Sequence, residues 1–377
     1  MTPFRSLSRL LTAATAAAML AGTAHAATLV IAQVAPLSGL EASMGRSYAA
    51  GLQIAVNQVN KAGGINGNTF ALVRKDDAGR PDETLPATRA LLSESRPVVL
   101  AGYLGNQGLD SVLGSGLLEK EHIALVGYRT TEIRAEAPLL FNVRAGLREE
   151  IGKIADHLAT VGISRVGLLY EESPAAAELR AAAEEAGRRT HITIVAQASY
   201  PQGTAKVMPA VEVLSTATPQ AIILAASGSA AAAFIEQYRG LNGAAQLFAT
   251  SGVDVEQLVK RLGDEHLRGV AIAQVTPSPY KITGRLAREF SEAAAATPPD
   301  VPLSFALMEG YIAGRVVFEA VRRAGARGAT REGVAAALEA MDSYDLGGYQ
   351  IGYRPNNRAG SRYVELSIVT GTGRLRQ

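Results

Sequence analysis

The stretch from residue 28 to residue 77 decides the fold: TLVIAQVAPLSGLEASMGRSYAAGLQIAVNQVNKAGGINGNTFALVRKDD. Its apolar, β-branched start, Thr28–Ala35, predicts a buried strand. A helix is predicted over Gly45–Ala62, because apolar residues recur there every three or four positions, and Gly63-Gly64 ends it. The next strand is predicted over Phe70–Lys75. A strand, a helix and a second strand in this order indicate two parallel strands joined by a helical crossover.

The same alternation continues along most of the chain. It runs through residues 98–126, with a helix predicted over 107–120, and begins again after Arg144, through residues 147–275, where the last helix is predicted over 255–262. Two such series are too many strands for one sheet of ordinary size. We therefore predict an α/β fold with two doubly wound parallel sheets, each covered by helices on both faces. The last elements are predicted as helices near 303–324 and 331–341 and strands over 347–353 and 363–368.

Residues 1–26 have the pattern of a secretory signal peptide. Arg5 and Arg9 give a positive start, and the apolar run Leu10–Ala21 is too short to span a bilayer, which takes about 20 helical residues. Ala24-His25-Ala26 is a small-x-small cleavage site. The mature chain is therefore expected to begin at Ala27 and to be soluble in the periplasm.

Composition excludes several classes of function. The chain has 37 Lys and Arg against 35 Asp and Glu, and cleavage of the leader removes two of the arginines, so the mature protein is neutral. A neutral chain argues against nucleic acids and against a polybasic membrane anchor. There is no cysteine, hence no lipid-anchored cysteine, no thiol nucleophile and no Cys-ligated zinc. We expect a protein that is free in the periplasm.

Spaced residues in the opening stretch resemble one known family. They are Pro36-Leu37-Ser38-Gly39, Gly45, Gly51, the run NKAGGING over residues 60–67, and Asp76-Asp77. This pattern is similar to that of the leucine/isoleucine/valine-type solute-binding proteins of ABC importers, the type I periplasmic binding proteins. The later alternation of strands and helices fits that family over residues 28–370.

The resemblance implies two lobes joined by a three-segment hinge. The crossings would fall near Asn142–Ala145, Gln274–Pro277 and Gly348–Tyr353. The first lobe would hold residues 27–143 and 276–350, and the second 145–274 and 351–377. The solute would bind between the lobes, at the carboxyl ends of the strands, and the lobes would close around it.

The turn over residues 102–108 is the first candidate for ligand binding; its candidate residues are Tyr103, Asn106, Gln107 and Gly108. Glycines let the backbone approach a ligand, and the helix that follows presents unpaired N–H groups suited to a carboxylate. The resemblance implies the same use of this turn, commonly through a serine that this chain lacks. The alternative is an ordinary glycine-rich turn in which Asn106 caps the helix.

The turn after the strand at 123–126 is the second candidate. By resemblance, the carbonyl of Tyr128 and the N–H and hydroxyl of Thr130 would face the ligand. Arg129 is unusual between them, and its guanidinium can hold a carboxylate through two hydrogen bonds. The alternative is an arginine at the rim, paired with Glu132.

Other positions depart from the family pattern. Amino-acid binders of this family carry an acidic residue after the strand at 246–250, where this chain has Ser251, with Asp254 one helical turn later. A buried ammonium without a carboxylate partner is costly, so we expect the pocket to favour an anion unless Asp254 turns into it. Met44 and Ser227 stand where larger residues are common, which predicts a roomier pocket; core packing is the alternative for Met44.

No set of residues supports catalysis. The chain has no GxSxG elbow, no P-loop and no histidine pair at metal-binding spacing. Asp76-Asp77 resembles a structural turn of the family rather than a metal site, and Glu171-Glu172 is expected to be a solvated edge. We therefore expect no enzyme, no metal and no cofactor.

These observations favour one function. The chain is predicted to be the periplasmic substrate-binding subunit of a branched-chain-amino-acid-type ABC importer, with a small carboxylate-bearing or amino-acid-like solute as ligand. Its partners would be an inner-membrane permease and a cytoplasmic ATPase, and we expect a monomer. The alternative is a periplasmic sensor on the same fold that signals to a receptor or regulator. The identity of the solute, whether amino acid, organic acid or amide, stays open.

Overall fold

A five-stranded parallel sheet forms the core of the first lobe in the computed structural model. The structure describes residues 27–132, 137–355, 357–370 and 375–376, so the expected leader lies outside the described residues. The strand order is β2-β1-β3-β4-β5. The strands are β1 Thr28–Ala35, β2 Thr69–Asp76, β3 Val99–Ala101, β4 Leu125–Val126 and β5 Leu140–Phe141.

Helices cover both faces of this sheet. The closest crossing joins α1 (Ala42–Lys61) to α11 (Phe305–Ala324), where a Cβ on Gly51 would lie 2.0 Å from the Leu307 carbonyl oxygen. Glycine is needed there because the two backbones touch. The other helices of this lobe are α2 Pro81–Ser95, α3 Asn106–Gly114, α4 Leu117–Lys120, α10 Arg285–Ala296 and α12 Arg331–Glu339.

The second lobe is built on a seven-stranded sheet in the order β15-β14-β10-β9-β8-β6-β7. Strands β6 to β10 are mutually parallel, and β14 pairs with β10 in the antiparallel direction. The strands are β6 Arg165–Glu172, β7 Thr193–Pro201, β8 Ala221–Ala225, β9 Gln246–Ala249, β10 Ala271–Gln274, β14 Glu365–Val369 and β15 Leu375–Arg376. The helices are α5 Leu147–Thr160, α6 Ala176–Thr190, α7 Met208–Thr216, α8 Gly228–Gly240 and α9 Val255–Leu267.

The predicted fold class, two doubly wound parallel sheets, is confirmed. The chain leaves the first sheet after β5, returns to the first lobe after β10 and enters the second sheet again at β14. The third passage was expected at 348–353. That segment instead joins β11 (Tyr344–Asp345), β12 (Gln350–Arg354) and β13 (Asn357–Gly360) in a small sheet, and Ile351 and Tyr353 pack in the first lobe's core.

Two tyrosines of this small sheet contact the first two crossing segments. The Tyr349 hydroxyl lies 2.8 Å from the carbonyl oxygens of both Val143 and Val275, and its single proton is shared between them. The Tyr353 hydroxyl donates to the Asn142 carbonyl at 2.7 Å. The small sheet thus holds the first two crossings together, which is expected beside a hinge.

Several elements differ from the sequence prediction. The helix expected over 107–120 divides into α3 and α4, because Gly116 adopts a left-handed conformation with φ of 62°. The helix expected to end at residue 262 continues to Leu267 across a break at Gly263. Helices α7 and α10 were not anticipated. Among the described residues, no helix is long and apolar enough to cross a membrane.

Candidate functional site

A cleft lies between the lobes and is lined by the loops that follow the strands of both sheets. The first lobe contributes the turns after β1, β2, β3 and β4, and the second the turns after β6, β7, β8 and β9. This is where parallel α/β sheets place their ligands. Candidate residues from the sequence that line it are Met44, Asn106, Gln107, Gly108, Arg129, Thr130 and Ser227.

Glu171, at the end of β6, crosses the cleft from the second lobe. One carboxylate oxygen accepts hydrogen bonds from Asn106 Nδ2 and Thr131 Oγ1, both at 2.5 Å, and the other accepts from the Gly203 N–H at 2.7 Å. Only 8% of Glu171 is exposed, so the expected solvated edge is wrong for this residue. Asn106 does not cap α3, whose N-cap is Gly105, and its amide serves this contact instead.

A second carboxylate crosses in the opposite direction. Glu41 in the first lobe accepts from the Ser229 hydroxyl at 2.7 Å and from the Ser229 N–H at 3.3 Å. Ser229 lies in the first turn of α8, where an anion is favoured by the helix dipole. Ser227 caps that helix through the Ala230 N–H. We call the Glu171 and Glu41 contacts the cleft bridges.

Arg129 is buried and already paired. Its Nη1 donates to Glu309 Oε2 at 2.5 Å, and its Nη2 donates to the carbonyl of Ser251 in the second lobe. The sequence offered two roles for Arg129, a guanidinium that holds a solute carboxylate or a rim arginine paired with Glu132, and both need correction. The partner is Glu309 on α11 rather than Glu132 at the rim, and part of the guanidinium fork is used within the protein.

Ser251 is surrounded by carboxylates that its local sequence does not reveal. Its N–H and hydroxyl donate to the two oxygens of Glu150 on α5, at 2.6 and 2.8 Å. Arg144 donates to the same Glu150 at 2.9 Å, and its Nη1 lies 3.7 Å from Glu309 Oε2. Arg129, Arg144, Glu150, Glu309 and Ser251 form what we call the charge network. Glu150 therefore places a carboxylate beside Ser251, which stands where acidic residues are common in the family.

Burial shifts the acid–base properties of this network. It raises the pKa of Glu150, against the lowering effects of Arg144 and Ser251. Burial lowers the pKa of Arg144, but Glu309 and Glu150 outweigh it and hold that pKa above its ordinary value. The two arginines and two glutamates balance in charge, which is how buried ions are tolerated.

A small cavity lies at the inner end of the cleft. Met44 and Arg129 line both spaces, and the other polar residues of the small cavity are Ser251, Asp254, Glu256, Gln274, Thr276 and Glu309. Asp254 caps α9, because one of its oxygens accepts from the N–H groups of Glu256 and Gln257 at 3.0 and 3.2 Å. Burial and then Asp254 raise the pKa of Glu256 well above its ordinary value.

Two candidate residues lie away from the cleft. Tyr103 is buried in the first lobe, where its hydroxyl shares a 3.0 Å hydrogen bond with Thr88. Tyr128 lines a separate cavity beside Asn142. Strand ends fix where a turn lies but not which way an aromatic ring in it points. Gln107 reaches the second lobe through Gln202, at 3.0 Å.

Comparison with known proteins agrees with this geometry. A family described as periplasmic binding protein matches residues 28–373. The chain belongs to this family. Its resemblance to the Leu/Ile/Val-binding type, predicted from the opening stretch, is confirmed by relatives that cover almost all of the chain.

One relative is the Leu/Ile/Val-binding protein homolog 8 of Brucella suis biovar 1 (strain 1330), 23% identical over 93% of this chain and 91% of its own. A substrate-binding periplasmic protein from Ralstonia solanacearum is 37% identical, with a TM-score of 0.84 over 92% of this chain and 99% of its own. An extracellular ligand-binding receptor from Verminephrobacter eiseniae is 26% identical, with a TM-score of 0.81 over 93% and 100%.

Membership in the periplasmic binding proteins has direct consequences. The family binds solutes, is not a family of enzymes, and implies a periplasmic location. Within the part of the chain that the structure describes, no group of three or more His, Asp or Glu residues could hold a metal ion. Asp76 accepts from the N–H groups of Leu37, Ser38 and Ala78, so it orders the turn at the cleft rim.

Proposed function

We propose that this periplasmic binding protein is the substrate-binding subunit of an ABC importer of the branched-chain amino acid type. It captures a small amino-acid-like solute between its lobes and delivers it to an inner-membrane permease that is driven by a cytoplasmic ATPase. The family match, the Leu/Ile/Val-binding relatives and the cleft between two lobes support this proposal.

One observation carries the proposal: the lobes meet across the cleft through exchangeable polar contacts. Glu171 and Glu41 each bind hydrogen-bond donors of the opposite lobe. Such contacts can be replaced by water when the lobes separate, whereas a continuous apolar interface would hold them together. A hinge at the three crossing segments then lets a solute enter and closes the lobes over it.

The lining indicates the kind of solute. Pro36, Leu40, Met44, Pro81 and Leu104 offer an apolar surface for an aliphatic body. The donors that Glu171 now engages, Asn106 and Thr131, suit a carboxylate group. A solute carboxylate would compete with Glu171 for these donors, so the glutamate acts as an internal occupant of that site in the empty protein.

The test is binding followed by transport. The mature protein is screened by thermal shift against amino acids, organic acids and amides, since a ligand at 100 times its Kd adds about 2.7 kcal/mol of stability. Small-angle scattering then measures compaction with each hit. We expect the loaded protein to stimulate the ATPase activity of its permease in vesicles. If the loaded protein stimulates a receptor kinase instead, the alternative function, a periplasmic sensor on the same fold, would be favoured.

The leader is part of the same proposal. Residues 1–26 direct export and are removed, so the periplasmic protein begins at Ala27. Mass spectrometry of the exported protein tests this directly, and a chain that retains residues 1–26 would contradict it.

A further inference from the structure

Three side chains form an acidic contact where the lobes meet beside the second crossing. Asp254 precedes α9 of the second lobe, and Glu256 is in the first turn of that helix. Tyr280 follows the second crossing, in the loop that returns to the first lobe, and its hydroxyl donates to Glu256 Oε1. We call Asp254, Glu256 and Tyr280 the acid cluster. It joins the two lobes through the side chain of one glutamate.

Residues of the first lobe partly cover the acid cluster. The Tyr280 hydroxyl also lies 3.0 Å from the Leu303 carbonyl oxygen, just before α11. The Tyr280 ring packs edge-on against Phe305, with the ring centroids 6.0 Å apart, and Phe305 lines the small cavity together with Glu256. Glu256 is half-buried in these surroundings. When the lobes separate, this cover leaves with the first lobe and water reaches the glutamate.

The two carboxyl groups of the acid cluster hold one proton between them. Asp254 and Glu256 lie within hydrogen-bond distance of each other, and two carboxylates in contact disfavour each other's ionisation. Asp254 already accepts from two N–H groups of α9 and from Gln257 Nε2 at 3.1 Å, which favours its charged form. The proton therefore stays on Glu256, whose pKa is raised well above its ordinary value, by burial first and then by Asp254.

The other charged groups near Glu256 do not reverse this balance. Arg129 and Glu309, which line the small cavity with it, bond to each other at 2.5 Å. Lys260 is one turn further along α9 and is exposed to solvent. The hydrogen bond from Tyr280 favours the ionised glutamate, but burial outweighs it. Glu256 is thus the proton carrier of the cluster.

We propose that the acid cluster couples closure of the lobes to the uptake of one proton by Glu256. In the closed protein, protonated Glu256 donates to Asp254 and accepts from Tyr280. In the open protein, the first lobe no longer covers the carboxyl group, so its pKa falls toward the ordinary value and the proton leaves. Acid therefore favours the closed form, and alkali favours the open form. This inference rests on the lobe closure of the proposed function and adds its regulation by pH.

The range of the effect follows from linkage between proton binding and closure. Below the ordinary glutamate pKa of about 4.3, both forms hold the proton, so the ratio of closed to open molecules is independent of pH. Between that value and the raised pKa, only the closed form holds it, and the ratio falls by up to about tenfold for each unit of pH. Above the raised pKa, both forms have lost the proton.

Small-angle scattering of the empty mature protein, from about pH 5 to about pH 9, tests the coupling. We expect the radius of gyration to rise with pH. Glu256→Gln resembles the protonated acid, so this variant should stay compact throughout. Glu178→Gln is the matched control, because Glu178 is also in the first turn of a second-lobe helix, α6, and is exposed. It should open with pH as the unaltered protein does.

A second measurement follows the proton itself. In protein labelled with carbon-13 glutamate, the Glu256 carboxyl signal, assigned by its loss in Glu256→Gln, should titrate above the ordinary glutamate range. Asp254→Asn keeps a side chain that can cap α9 and removes the neighbouring charge. The pKa of Glu256 should then fall, and the opening seen by scattering should move to lower pH with it. A signal that titrates in the ordinary range, or an opening that does not follow the shifted pKa, would overturn the proposal.

The remaining outcomes separate this inference from the proposed function. If Glu256→Gln still opens with pH, the coupling is refuted, and the effect belongs to another acid such as Glu150, whose pKa burial also raises. If a solute from the thermal-shift screen closes the lobes with one Kd across this range, the transport proposal stands and the coupling fails. If the empty protein opens through Glu256 but no amino acid, organic acid or amide closes it, the coupling stands and the transport proposal fails.

Discussion

The cleft bridges and the charge network both join the two lobes, but they use different partners. The bridges pair a carboxylate with uncharged hydroxyl, amide and N–H donors at the wall of the cleft. The charge network pairs arginines with glutamates, although Glu171 is as buried as Arg129, each 8% exposed. Water can replace uncharged donors, whereas separation of the network leaves bare buried charges. We therefore expect the lobes to open at the bridges and to pivot about the network.

The largest effect is expected where the charge network is broken. Arg144→Met leaves Glu150 without its arginine, and removal of one partner of a buried ion pair costs about 3–5 kcal/mol of unfolding free energy. Denaturant unfolding measures this. Arg148→Met is the control, because the Arg148–Glu185 pair is exposed and should matter by about 1 kcal/mol or less. Similar losses in the two variants would remove the contrast between buried and exposed pairs.

Sequence could anticipate much of the fold but little of this network. Strand and helix patterns are local, so residues 28–77 were enough to predict parallel strands and a helical crossover. The turns with Asn106, Thr130 and Ser251 were also predictable, because topology fixes where strands end. Arg129 and Glu309 are 180 residues apart, and Ser251 and Glu150 are 101 apart. No local pattern indicates which distant carboxylate a buried polar group will meet.

The next effect concerns closure rather than folding. Glu171→Gln keeps the side-chain size but removes the charge that strengthens two hydrogen bonds to the first lobe, so the closed state should lose about 1–2 kcal/mol. The ratio of open to closed molecules should therefore rise about tenfold. Small-angle scattering of the empty protein should report a larger radius of gyration. Glu172→Gln, at an exposed neighbour, should leave it unchanged, and a compact Glu171→Gln protein would refute the role of this bridge.

The second bridge should contribute less. Glu41 is half-buried, and its carboxylate accepts hydrogen bonds from Ser229 alone among the described residues. Glu41→Gln should therefore raise the ratio of open to closed molecules about two- to fivefold, the equivalent of roughly 0.5–1 kcal/mol. The same scattering measurement applies. An effect larger than that of Glu171→Gln would reverse the order of the two bridges.

The smallest effect is expected at Asp76, whose hydrogen-bond partners lie in one lobe only. Burial opposes the ionisation of Asp76, but hydrogen bonds from Ser38 and from backbone N–H groups together outweigh it and lower the pKa of Asp76. Its contribution to stability is present above the ordinary aspartate pKa and is lost as the pH falls through the lowered value. Asp76→Asn should cost about 1 kcal/mol or less at neutral pH, and less in acid. Closure should not change, since these partners all lie in the first lobe.

A distance between the lobes tests the central claim most directly. The chain has no cysteine, so spin labels can be placed at Asp82→Cys beside the first-lobe rim and Lys206→Cys beside Gly203 of the second lobe. We predict a short distance between the two labels when the Glu171 and Glu41 bridges are intact. Glu171→Gln should lengthen it, and a saturating solute should restore it. One unchanged distance in all three states would contradict closure about the charge network.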